Sequence, residues 1–197
     1  MKDKVVLVTG AGRGIGRAIA THCAAAGAVA VVNDINPDTA EATVKAITES
    51  GGRAVASIAD VAQKMAVQTM HYEILDKFGR VDVLVNNARI EPGGSVLTLD
   101  EWNWDRVFGV NLKGPFLCMQ TVARGMKEQG GGVIINLLGP QLMDGRHVAY
   151  IASQVGLASL TIECARELVA YNIHACAVQP TSPEETVAQV LQLITDH

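Results

Sequence analysis

The chain has 197 residues, 49% of them hydrophobic and 18% charged, with a net charge of -4. That is enough apolar mass for one packed core, so a single domain over 1–197 is expected. No basic block offers a footing for nucleic acid or an anionic membrane, no stretch reads as apolar enough to span a bilayer, and the start "MKDKVVLVTG" shows no secretory leader, so a cytoplasmic protein is expected.

Short apolar runs alternate with longer amphipathic ones. "VVLVTG" (5–10) reads as a buried strand, and 14–26 as an Ala-rich helix ended by Gly27. "AVAVVND" (28–34) is the next strand, followed by a helix over 37–50 stopped by "SGG". "RAVASIAD" (53–60) is a strand, and a long helix then runs to Phe78 before Gly79. "VDVLVNNA" (81–88) is a strand, and two helices are expected over 98–109 and 112–129. "GVIINLL" (132–138) is a strand, a helix covers about 148–170, "IHACAVQP" (173–180) is the sixth strand, and a last helix covers about 184–195. Apolar strands without alternation require helices on both faces. The reading is an α/β fold: a doubly wound parallel sheet of six strands in the order 3-2-1-4-5-6. The four cysteines (Cys23, Cys118, Cys164, Cys176) are scattered and read as buried thiols, with no metal site. Trp102 and Trp104 read as core or interface packing residues rather than ligand-stacking ones.

"TGAGRGIGRAI", Thr9 to Ile19, follows the first strand and opens a helix. Its glycines, Gly10, Gly14 and Gly16 with Gly12 in addition, allow a tight turn in which Arg13 and Ile15 also stand. The helix N-terminus attracts a pyrophosphate. Asp34 closes the second strand. Its carboxylate can accept from an adenosine ribose and repels a 2′-phosphate, which favours NAD over NADP. Arg13 pulls the other way, since a guanidinium suits that phosphate.

With these residues the chain resembles the classical short-chain dehydrogenase/reductase family, from residue 4 to about 180. The glycine motif TGxxxGxG is met by Thr9 to Gly16. "AD" at the third strand's end resembles the adenine-contacting pair, with Asp60 as acceptor and Val61 beside it. "NNA" (Asn86, Asn87, Ala88) resembles the fourth-strand motif beside the cofactor. "WDRVFGVNLKGPF" resembles the segment carrying the catalytic asparagine, Asn111, and "YIAS" the start of the catalytic helix, with Tyr150 as general acid/base. The resemblance implies a Rossmann fold, an NAD-dependent alcohol or ketone oxidoreductase, and a homodimer or higher oligomer formed through helices 112–129 and 150–170.

The departures fall on the chemistry. The family's YxxxK lysine is Gln154 here. The family's serine falls on Gly139 counted forward from Asn136, or on Leu137 counted back from Tyr150, and neither has a hydroxyl. "NNAG" has become "NNAR", which puts Arg89 near the nicotinamide side. The family's substrate loop and glycine-rich seventh strand have no counterpart after "PT" (Pro180, Thr181). A free tyrosine has a pKa of about 10, and a cation ~5 Å away at an effective dielectric of ~20 would be worth roughly 3 kcal/mol, or about two pKa units. Gln154 supplies none of this, and a lost oxyanion donor typically costs ~10²–10³ in rate. His147 can be read as a proton relay or as a loop histidine. The expectation is NAD binding with impaired intrinsic catalysis, a pseudoenzyme. The alternative is a non-catalytic structural or regulatory subunit pairing with itself or an active relative. The bare sixth strand should be covered by another chain or by the last helix.

Overall fold

A computed structural model describes residues 1–140, 142 and 144–196. The strands β1 (Val5–Val8), β2 (Val29–Asp34), β3 (Arg53–Ile58), β4 (Val83–Asn86), β5 (Gly132–Leu137) and β6 (Ile173–Val178) pair in parallel in the order β3-β2-β1-β4-β5-β6. This is the expected order, with the winding reversing between β1 and β4. Strand residues alternate between two apolar layers. Val6, Val8, Val85 and Ile135 face α1 (Gly14–Ala25), α2 (Pro37–Glu49) and α7 (Pro183–Thr195). Val5, Leu7, Leu84 and Ile134 face α3 (Lys64–Phe78), α5 (Gly114–Gln129) and the end of α6 (Val148–Leu168).

Helix ends follow local chemistry. Asn36 Oδ1 accepts from the N–H of Asp38 at 2.9 Å and caps α2. Asp100 caps α4 (Glu101–Phe108) by accepting from Asn103 N at 2.8 Å. Gly79 and Gly130, at φ 75° and 91°, end α3 and α5 in the left-handed region.

Several expectations are sharpened or corrected. The two helices over 98–109 and 112–129 are not separated by a loop. One helical path runs through α4 and α5, with a single wide π-type turn at Gly109–Lys113 that carries Asn111. Of the core or interface packing expected for Trp102 and Trp104, core is ruled out, since they are 65% and 41% exposed. Trp102 lies under Arg106, and Trp104 stacks on Phe108 at 4.6 Å. The expectation that no stretch is apolar enough to cross a membrane also fails by length and composition. The helical stretch 148–171 has a mean hydropathy of 1.3 over its best window. Ala149, Tyr150, Ser153, Leu157, Thr161 and Leu168 bury one side of α6, and Val155 and Ile162 leave the other side apolar and exposed. Of the cysteines, Cys23 and Cys118 are buried, whereas Cys164 and Cys176 are half-buried.

Residues 179–182 link β6 directly to α7, which lies against α1, and Lys4 Nζ donates to the carbonyl of Ile194 at 3.2 Å. The last helix thus covers a face of the sheet. The β6 edge itself keeps Ala177 exposed and His174, Ala175 and Cys176 half-exposed, beside a hollow of about 230 Å³ between Val169 and Leu193.

Candidate functional site

At the tips of β1 and β2 the glycine turn is held open from behind. Thr9 Oγ1 accepts from the N–H groups of Asn87 (3.0 Å) and Ala88 (3.1 Å). The Asn87 amide donates to the carbonyls of Thr9 (2.9 Å) and Gly10 (3.0 Å). Gly10 has φ 61°, and a Cβ there would lie 2.8 Å from Ala88 Cα, so only glycine lets the two turns touch. Gly14, at φ 57°, faces open space. The first N–H groups of α1, from Gly14, Ile15 and Gly16, have no acceptor inside the helix. Arg13 stands exposed just ahead of them in extended backbone.

Asp34 Oδ2 accepts from Gly12 N at 2.9 Å, and Oδ1 from Asn36 N at 3.0 Å. The carboxylate is therefore fixed at the tip of β2, next to the glycine turn. Asp60 Oδ1 accepts from Ala62 N at 2.9 Å, and Val61 is buried against Gly114. The structure thus brings Gly10, Gly14, Gly16, Asp34, Asn87 and Ala88 together at the glycine turn. These groups fit a dinucleotide: helix-start N–H donors for phosphate and the Asp34 carboxylate as acceptor for a ribose hydroxyl.

The tips of β5 and β6 differ. Tyr150 is fully buried, and its hydroxyl donates to the carbonyl of Pro140 at 3.2 Å. Burial pushes the phenol above its ordinary value, with Arg89 opposing and Glu91 reinforcing the rise. Arg89 is thus the cation that bears on Tyr150, and it does not outweigh burial. Of the two candidate serine positions, Leu137 is buried in the sheet core with Val178, while Gly139 lies against Tyr150. The space a Cβ on Gly139 would take is already filled by the Tyr150 hydroxyl. Gln154 Oε1 accepts from Gly139 N at 2.7 Å.

Asn111 Nδ2 donates to Ile90 O (2.8 Å) and Ser153 Oγ (3.1 Å), and its Oδ1 accepts from Ile90 N at 2.9 Å. Asn111 therefore ties the π-type turn to the segment after β4 and to α6. Below it, Asn136 joins Asn86 (2.8 Å) to Thr161 (2.8 Å). His147, just before α6, presents its ring edge-on to Tyr150 at 6.3 Å, and its Nδ1 is buried without a partner. Among the described residues no cluster of three metal-ligating side chains occurs. One residue of this region escaped the sequence reading. Gln179 Nε2, at the end of β6, donates to Gly139 O at 2.8 Å. Its place directly before Pro180 was the only available signal.

Residues 4–191 match the family model described as short chain dehydrogenase. An oxidoreductase of Thermotoga maritima is 41% identical over 193 residues, covering 96% of this chain and 76% of that protein. The 3-oxoacyl-[acyl-carrier-protein] reductase of Staphylococcus epidermidis is 42% identical over 182 residues, covering 90% of this chain and 74% of the relative. Among solved structures, a metagenomic short-chain oxidoreductase in complex with NADP superposes with a TM-score of 0.93 at 33% identity, over 99% of this chain and 92% of that one. A gluconate 5-dehydrogenase from Burkholderia cenocepacia, in complex with NADP and tartrate, gives a TM-score of 0.86 at 32% identity over 91% of this chain and 71% of that one.

Proposed function

Because the chain belongs to the short-chain dehydrogenase family, we propose that it is a nicotinamide-dinucleotide-binding protein whose own oxidoreductase turnover is weak. Nucleotide binding is carried by the open glycine turn with Asp34 fixed beside it. When bound, the nicotinamide would supply or accept the hydride. Gly10, Gly14, Ile15 and Gly16 would hold the pyrophosphate, Asp34 the adenosine ribose, and Asp60 and Val61 the adenine, with Asn87 and Ala88 backing the turn. NAD is the preferred form in this reading, since the Asp34 carboxylate repels a 2′-phosphate. The NADP found in two related structures makes this preference the sharpest point to test. Calorimetric titration with each nucleotide should give tighter binding of NAD, and equal or tighter binding of NADP would overturn the assignment.

Weak turnover is carried by one observation: the only phenol at the site is buried and bonded to a backbone carbonyl. A proton donor must reach the carbonyl oxygen of a substrate, and its pKa must approach the working pH. Tyr150 meets neither condition. Arg89 lowers its pKa but leaves it above the ordinary value. Steady-state assays with small alcohols, ketones and 3-oxoacyl thioesters should therefore show rates far below those of ordinary family members.

A second reading is a structural or regulatory subunit. It is favoured by the apolar outer side of α6, where Val155 is 63% and Ile162 54% exposed, and by Phe116 on α5. Pairing through these helices would cover them. Sedimentation velocity should show a dimer or larger species, and a monomer at micromolar concentration would remove this reading.

A further inference from the structure

The residues that replace the family's catalytic groups are not merely absent chemistry, because they bond to one another. Gly139 follows β5 and is buried. Its N–H donates to Gln154 Oε1 at 2.7 Å, and its C=O accepts from Gln179 Nε2 at 2.8 Å. The next carbonyl, that of Pro140, accepts from the Tyr150 hydroxyl at 3.2 Å. Three side chains, two from α6 and one just after β6, thus hold backbone groups of two consecutive residues. Both amides are neutral, and each presents the end its partner requires: an oxygen to the N–H, an NH₂ to the carbonyl.

We propose that Gln154 and Gln179 are paired positioning residues, which clamp both backbone groups of Gly139 and so hold the Tyr150 hydroxyl shut against the carbonyl of Pro140. The proposal rests on the reading of weak turnover and supplies its physical cause. With Gly139 held, the peptide after β5 crosses the tyrosine hydroxyl where an added Cβ would otherwise stand. A lysine at position 154 could not accept from Gly139 N, since an ammonium only donates. The clamp therefore depends on the amide. The charged and titratable groups around Tyr150 are Arg89 and Glu91 on the segment after β4, and His147 ahead of α6.

Two measurements test the clamp without nucleotide or substrate. The chain has three tyrosines, and Tyr72 and Tyr171 are exposed. In a Tyr72→Phe/Tyr171→Phe background, ultraviolet titration should show the Tyr150 phenol silent until the chain unfolds. With Gln154→Ala/Gln179→Ala added, Tyr150 should ionise while far-ultraviolet circular dichroism stays native. A Tyr150 that ionises in the folded chain with both glutamines present, or one that stays silent in a folded chain without them, would overturn the proposal.

Should the double variant fail to fold, amide exchange at Gly139 decides. Gln154→Ala should speed it about fivefold, the loss of one hydrogen bond. Gln154→Glu keeps an acceptor and should preserve the slow rate. Equal exchange in both variants would refute a specific clamp in favour of mere packing. Efficient turnover by a chain that passes these tests would sink the weak-turnover reading and leave the clamp standing.

Discussion

The two ends of the same sheet face treat their polar groups in opposite ways. At the tips of β1 and β2, Asn87 braces the glycine turn through the carbonyls of Thr9 and Gly10, ahead of helix-start N–H groups that have no acceptor inside the helix. At the tips of β5 and β6, the backbone groups of Gly139 and Pro140 are bonded to side chains. A binding site keeps donors and acceptors unspent until a ligand arrives, whereas a staple spends them on itself. Family membership alone does not separate the two conditions, and the hydrogen bonds do.

The largest expected effect probes the open end. Asp34→Ala removes the fixed carboxylate beside Gly12 and should weaken NAD binding by roughly 10- to 100-fold, the worth of hydrogen bonds to a charged group. Calorimetry reads this directly, and unchanged affinity would mean that Asp34 merely braces its turn. Next comes the closed end. Gly139→Ser places a Cβ on the Tyr150 hydroxyl and should destabilise the fold by about 1–3 kcal/mol in denaturant titrations, the usual cost of overpacking. Combined with Gln154→Lys it should restore little activity, and strong recovery would show that the closed end was nearly complete.

A smaller effect belongs to the helix that follows Asp34. Asn36→Ala removes the cap of α2 and should cost about 1 kcal/mol in thermal stability. The smallest change at neutral pH is Tyr150→Phe, roughly 0.5–1 kcal/mol for one hydrogen bond to a carbonyl that water can reach. Its pH dependence is more informative. Burial raises the phenol in the folded chain, so the unfolded chain loses its proton first as pH rises past 10. Stability is therefore intact below that pH and falls above it. Tyr150→Phe should lose less stability than the wild type between pH 10 and 11. Turnover unchanged by this substitution would fit a tyrosine held shut, and a large drop would reopen the question of its role.

The fold was legible because strands buried on both faces write themselves as continuous apolar runs, and glycines mark their turns. The open site was legible for a related reason: Gly10 needs positive φ and a close approach, a demand that leaves one residue type. The closed site was only half legible. Gln154 and Gly139 stand out as departures, but the bond between them depends on the path of the chain after β5. Gln179 was hardly legible: its place before Pro180 marks the strand end, but a glutamine there has no preferred partner in sequence. The continuous path through Gly109–Lys113 was hidden too, since a single wide turn leaves the helical period almost unchanged.

The bonds around Gly139 also make the substitutions at this end of the sheet depend on one another. Serine at 139 first collides with the phenol. Lysine at 154 first leaves the Gly139 N–H without its acceptor. Releasing Gln179 first gains no charge and no hydroxyl. Positions 139, 154 and 179 therefore share one set of bonds, and substitutions there should combine non-additively, each changing what the next one meets.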